Sequence, residues 1–294
     1  MKLGRFGIWT SVLDRQPATV ARAEARRIEA LGFGTLWVGE SFRREAFANS
    51  ALLLAATERL NVATGIASIW ARDAQAMRAG QLTLSEAYPD RFLLGLGVSH
   101  VPLVNPRGHA YDRPYSAMRA YLDAMGQATY EAPMPTTRPQ TVLAALGPRM
   151  LALAAELADG AHPYFVPLEH TRQARAVLGS GKLLCPEQAV VLEADPTLAR
   201  AVARRHTSSY LRLPNYRNNL ERLGFPEDEM RDGGSDRLVD AIVAWGTPQQ
   251  VATHLLEQLS AGADHVAIQV IRQDPSEVPV AAWESLAQEL ATAA

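Results

Sequence analysis

The sequence predicts an α/β protein built as a (β/α)8 TIM barrel with an insertion in its second half, and three observations predict it. Short apolar runs alternate with longer helical stretches, which is the signature of a parallel sheet. Eight strand candidates fit into 294 residues, a length matching the about 250 residues usual for such a barrel plus insertions. The competing doubly wound sheet would place G-x-G-x-x-G after the first strand, where Thr10-Ser11-Val12-Leu13 stands instead. Gly95-Leu96-Gly97 does not restore that fingerprint, because the third glycine is missing. With no linker, repeat or composition break, residues 1–294 are expected to form one domain.

The elements follow in order. Residues 5–10 read as the first strand, and Pro17 suits the first turn of a helix carrying Val20, Ala23, Arg27 and Leu31, stopped by Gly32. Residues 33–40 form the second strand. Asn49 is expected to cap a helix through Leu52, Leu53 and Ala56, and residues 61–70 form the third strand. A helix over 75–88 ends at Pro89, before the fourth strand at 91–97. Residues 141–146 make the fifth, after which Gly147-Pro148 opens a helix carrying Met150, Leu153 and Leu157. Asp159-Gly160 turns into an apolar run through Phe165, and 188–193 and 265–271 read as late strands. Residues 207–236 lack the alternation and hold Asn215, Asn218, Asn219, Asp232, Gly233 and Gly234, so they are expected to be a lid or insertion.

Composition removes several function classes. A single cysteine, Cys185, excludes an internal disulfide and any cysteine-built zinc site. A formal net charge of −2 gives no reason to expect nucleic acid or an anionic membrane. The opening Met1-Lys2-Leu3-Gly4-Arg5 has no apolar signal core, so a cytoplasmic location is expected. Among 29 basic residues only Lys2 and Lys182 are lysines, the bias of a GC-rich genome. None of the seven histidines forms H-x-H or H-E-x-x-H, and no catalytic metal is expected.

In such a barrel, function sits at the C-terminal strand ends. These ends hold Trp9-Thr10-Ser11, Glu40-Ser41, Ser68-Ile69-Trp70, Val98-Ser99-His100, Leu146-Gly147-Pro148 and His162-Pro163-Tyr164. Rich in tryptophan and small residues, they suit a flat ring better than a metal. Gly147-Pro148-Arg149 reads as an anion site, with an approachable glycine, outward-facing helix amides and a forked donor. Glu40 reads either as a functional carboxylate or as a cap or salt-bridge partner. Ser41 and Ser99 stand outside G-x-S-x-G and do not read as nucleophiles.

Several of these segments resemble the luciferase-like monooxygenase superfamily, in its branch dependent on the deazaflavin coenzyme F420. The matching segments include Gly7-Ile8-Trp9, Leu36-Trp37-Val38-Gly39-Glu40, Val62-Ala63-Thr64-Gly65-Ile66 and Tyr88-Pro89-Asp90-Arg91-Phe92-Leu93-Leu94-Gly95-Leu96-Gly97. Ala145-Leu146-Gly147-Pro148-Arg149-Met150, Glu156-Leu157-Ala158-Asp159-Gly160 and Ala261-Gly262-Ala263-Asp264-His265-Val266 continue the likeness, which skips roughly 165–235. The resemblance implies an oxidoreductase moving a hydride between coenzyme F420 and a small organic substrate, with an FMN-dependent monooxygenase or a non-catalytic deazaflavin binder as alternatives. It implies a cis peptide at Gly65-Ile66 behind the ring, Glu40 near the ring, and Ser68, Val98 and Ser99 in contact with the coenzyme. Gly147, Pro148, Arg149 and Met150 become the phosphate cradle. Members acting on sugar phosphates pair a histidine with a glutamate where this chain has Ser41 and His100, so His100 is the candidate acid or base beside Glu40. A homodimer is expected, and the cofactor branch agrees with GC-rich actinobacterial sources.

Overall fold

The computed structural model describes residues 1–292, and its eleven strands run parallel in one sheet. They are β1 (Phe6–Trp9), β2 (Thr35–Val38), β3 (Asn61–Thr64), β4 (Ala67–Ser68), β5 (Phe92–Gly97), β6 (Gln140–Leu143), β7 (Gly160–Ala161), β8 (Leu183–Leu184), β9 (Glu187–Val191), β10 (Val243–Trp245) and β11 (Val266–Val270). β1, β2, β3, β5, β6 and β7 are neighbours in that order, and β11 returns to β1. β8 pairs with β7 and β9 with β11, so one extended stretch interrupted at Cys185-Pro186 closes the ring. Proline interrupts it because it has no N–H to donate to the ladder. The result is an eight-position (β/α)8 barrel, as the alternation predicts. β10 is an extra strand, seated beside β9 from Val243↔Ala189 to Trp245↔Val191.

Two local expectations are corrected, and the 207–236 segment gains a description. The third strand does not run unbroken over 61–70: β3 stops at Thr64, and β4 resumes two residues later beside β5. Glu45, not Asn49, caps the second helix, its carboxylate accepting from Ala48 N at 2.7 Å. Asn49 is buried inside that helix and donates to Asp14 at 2.8 Å. Residues 207–236 are largely helical. They contain the end of Pro196–Tyr210, all of Pro214–Arg222, a 3-10 turn at Glu227–Met230, and Ser235 capping Asp236–Ile242. Their own apolar cluster joins Leu220, Phe225 and Met230 to Phe165 and Val243.

Inside the barrel, large rings replace the usual layers of branched aliphatics. Trp37 is fully buried and stacks on His162, with centroids 4.1 Å apart and planes at 13°. Its Nε1 donates to His265 Nε2 at 2.9 Å, while His265 Nδ1 donates to Gly4 O at 2.7 Å. Burial pushes His265 down to about 4, so the ring is neutral and both nitrogens are used. Glu187 opens β9 in full burial, and only one of its oxygens is satisfied, by Phe165 N at 3.1 Å.

Burial raises the Glu187 carboxyl to about 8, with Phe165 N opposing. The native chain therefore holds a proton that the unfolded chain releases near pH 4.5, and stability is lost as pH rises toward 8. Glu187→Gln is expected to melt higher than the parent at pH 9, by an amount on the order of a few kcal/mol, with little difference at pH 4. Thermal melts at the two pH values check this, and a gain independent of pH contradicts it.

Candidate active site

A cavity of about 520 Å³ opens at the C-terminal ends of the strands. Its floor is the segment between β3 and β4, where the Gly65–Ile66 peptide is cis. Trp9 Nε1 donates to Gly65 O at 3.1 Å. A Cβ at Gly65 would stand 2.6 Å from Trp9 Nε1 and 3.1 Å from His162 Nε2, so only glycine lets these rings approach. His162 Nδ1 donates to Cys185 O at 2.6 Å, which leaves Nε2 a bare acceptor, buried and without a partner. Burial and the nearby His265 pull this imidazole to about 4, the Cys185 bond opposing, so it stays neutral.

Glu40 lies at the end of β2 on the cavity wall, but its carboxylate is saturated. Both guanidinium nitrogens of Arg72 donate to it, Ser68 N donates at 2.8 Å and Ala46 N at 3.3 Å. Arg72 also reaches Glu45 at 2.5 Å and lies over the Phe47 ring. The arrangement ties β2, β4 and the second helix together. Ser68 therefore faces Glu40 instead of the cavity, and its Oγ accepts from Trp70 N at 3.3 Å.

Val98, Ser99 and His100 follow β5 and line the opposite wall. Ser99 holds φ +57°, a left-handed turn that carries His100 to the start of the short helix Val101–Val104. The His100 ring shares the cavity wall with the Asn215 side chain and lies 5.4 Å from the Tyr216 ring. Burial lowers its pKa below the usual imidazole value, and the Asn215 side chain opposes that shift. A neutral ring at the mouth of the cavity can accept a proton.

Gly147 is the N-cap of the ten-residue helix Pro148–Leu157, and the guanidinium beside it is not the expected one. Arg149 points away, exposed, its guanidinium 4.4 Å from the Tyr115 ring centroid. Pro148 also lies off the wall, while Gly147 and Met150 line it. Arg222 takes the place of Arg149: its NH2 nitrogen would be 3.2 Å from a Cβ on Gly147. The glycine keeps open the space between the helix amides and this guanidinium.

Sequence reasoning missed Arg222 together with Asn215 and Asn218, all on the wall and all on helix Pro214–Arg222. They fall at i, i+3 and i+7, one polar stripe on the cavity wall, with Tyr216 beside them on that wall and Leu220 buried. That stripe was the available signal. It is polar where an ordinary surface helix would be apolar toward the protein, so the segment reads as patternless. Among the described residues, no three His, Cys, Asp or Glu side chains gather to hold a metal, and no helix is long and apolar enough to cross a membrane.

The sequence profile of the luciferase-like monooxygenase family matches residues 4–265. This chain belongs to that family. A Mycobacterium tuberculosis protein assigned by name as a coenzyme F420-dependent oxidoreductase is 28% identical over 197 residues. The match spans 56% of this chain and 56% of that protein, so this chain spans about half the length of that curated relative. An F420-dependent secondary alcohol dehydrogenase solved with an F420–acetone adduct superposes with TM-score 0.77 at 14% identity, over 98% of both chains. The F420-dependent tetrahydromethanopterin reductase of Methanopyrus kandleri gives 0.79 at 17%, covering 98% of this chain and 99% of its own. A type II Baeyer–Villiger monooxygenase of Pseudomonas putida, solved with FMN, gives 0.68 at 13% over 98% of both. At these identities the likeness is one of fold, and this fold carries both coenzymes. The family matches the resemblance drawn from the strand-end segments.

Proposed function

We propose that this luciferase-like chain is a coenzyme F420-dependent oxidoreductase that transfers a hydride between the deazaflavin and a small organic substrate. The observation that carries this reading is the pairing of an apolar, glycine-floored slot with an anion cradle at one end of the same cavity. The likeness to the Mycobacterium tuberculosis protein supports the choice of coenzyme.

Two features fit a flat heteroaromatic coenzyme with a phosphate on its side chain. His162 Nε2 is a buried acceptor awaiting a donor beside Gly65. The space that a Cβ on Gly147 would fill lies between a helix N-terminus and Arg222, a geometry suited to an anion. Gly65 and Ile66 would back the ring, Val98 and Ser99 would contact it through the backbone, and Gly147, Met150 and Arg222 would hold the phosphate. When bound, the deazaflavin supplies the two-electron hydride chemistry, and the protein supplies position and proton control.

Each side chain then has a task. Glu40 is a positioning residue, since both its oxygens are occupied in holding β4 to β2. His100 takes up or returns the substrate proton at a ring nitrogen, with Asn215 on the same wall. Tyr216 and Tyr210, brought by the insertion, cover the mouth and exclude water.

The test is fluorescence titration of the purified protein with coenzyme F420 and with FMN. Deazaflavin is expected to bind at least about tenfold tighter. Tight FMN binding with no deazaflavin binding overturns the proposal in favour of an FMN-dependent monooxygenase. Arg222→Gln is expected to weaken coenzyme binding by roughly 10–100-fold, the loss of one charge-assisted contact, whereas Arg149→Gln changes it by less than about twofold. The reverse order in the two variants returns the phosphate to Arg149.

A further inference from the structure

A second cavity, of about 390 Å³, lies across Tyr210 from the first and shares Ser11, Arg43 and Tyr210 with it. It is bounded by the end of β1, helix Pro196–Tyr210 and the chain that follows β11. Three arginines line it, Arg43, Arg205 and Arg272, with two carboxylates, Asp274 and Glu277. The carboxylates are already committed. Glu277 pairs with Arg272 at 2.8 Å, and Asp274 turns into its own loop to accept from Ser276 N at 2.8 Å and Ser276 Oγ at 2.6 Å.

That leaves Arg43 and Arg205, with the Asp14 carboxylate partly offsetting the charge of Arg43. Among the described residues, Arg43 and Arg205 form no ion pair within 4.0 Å; Arg43 donates only to Ser11 O, at 3.2 Å. Partial burial and the neighbouring Arg15 hold the Arg43 pKa below its usual value, with Asp14 opposing, so positive charge is crowded here. The same wall carries His206, whose Nε2 is buried and has no hydrogen-bond partner. Burial draws that ring to about 4, so it is a neutral group awaiting a hydroxyl or N–H. Guanidinium forks match carboxylate and phosphate, and a cavity lined by two arginines that form no ion pair among the described residues has the donor set of an acid-binding site.

Resting on the deazaflavin reading of the first cavity, we propose that this second cavity receives the acidic group, carboxylate or phosphate, of the substrate. Arg43 stands on the shared wall, so a substrate reaching past Tyr210 places its reacting carbon beside His100 and its acid between Arg43 and Arg205. The substrate class is an organic acid or phosphate monoester, not a neutral alcohol.

The experiment uses inorganic phosphate as the probe, followed by calorimetry on the coenzyme-free Arg222→Gln protein, which lacks the first anion site. Saturable millimolar binding is expected. Adding Arg43→Gln or Arg205→Gln to that protein should weaken binding roughly tenfold, while Arg22→Gln, an exposed arginine lining neither cavity, leaves it unchanged. Both target arginines are exposed, and equal melting temperatures show that the variants fold. No saturable binding, or binding indifferent to both substitutions, overturns the proposal. A second arm measures coenzyme affinity, which Arg43→Gln and Arg205→Gln should leave within about twofold. A tenfold loss there overturns it differently, by giving the cavity to the coenzyme's own anionic part. If the parent protein binds phosphate through Arg43 and Arg205 but no deazaflavin, the function reading fails and the anion site stands.

Discussion

His100→Ala is expected to lower kcat for coenzyme-linked hydride transfer by roughly 10²–10⁴-fold while leaving coenzyme affinity within about twofold. The split follows from the geometry: His100 reaches the cavity beyond the Ser99 turn, away from the Gly147 and Arg222 end that would anchor the coenzyme. Burial lowers its pKa and the Asn215 side chain opposes that shift, so the active neutral ring persists below the ordinary imidazole value of about 6.5. The parent's rate of substrate oxidation should therefore hold from neutral pH down past 6.5 before falling, and that acid limb should vanish in the variant. Bleaching of the deazaflavin absorbance against a panel of alcohols and hydroxy acids gives both numbers. An unchanged rate removes His100 from the chemistry. Coenzyme binding without bleaching by any reductant supports a non-catalytic binder instead.

Arg72→Met is expected to destabilise the protein by about 3–5 kcal/mol, because a buried carboxylate loses its counter-ion and keeps only two backbone donors. The melting temperature should drop by on the order of 10 °C. Adding Glu40→Gln removes the stranded charge and should restore part of the loss, giving a large coupling energy in a double-mutant cycle. Arg72→Lys should recover little, since one ammonium cannot reproduce the two-nitrogen grip on Glu40. Calorimetric melts of the four proteins decide it. A penalty below about 1 kcal/mol would mean that Glu40 is solvated, and would return it to the list of acids and bases.

What was legible in the sequence had a period. Strand and helix alternation yields the ring order because each βα unit buries one continuous apolar run. Where the backbone itself forms the cavity wall, the residues singled out from the sequence do line it, as at Gly65, Ile66, Val98, Ser99 and Gly147, and their contact with a coenzyme stays part of the proposal. Reasoning failed where a side chain chooses among neighbours that only the fold brings together. Arg149 stacks on Tyr115 from another helix, and Ser68 gives its amide to Glu40, 28 residues away. Asn49 was a plausible cap, yet it serves Asp14 while Glu45 takes the helix end. β10 was invisible because three residues carry no readable alternation.

Arg222 and Asn215 stand two turns apart on one nine-residue helix that the barrel does not own. On the proposed reading, one would grip the coenzyme at its end of the cavity, and the other stands on the wall with the imidazole at the reacting end. A single rigid rod therefore couples anchorage to turnover, and any tilt of it changes both together. Exchanging this segment between relatives to retune selectivity would transplant the coenzyme grip with it. Drift at these two positions is accordingly expected to be correlated, as in a cassette inherited whole.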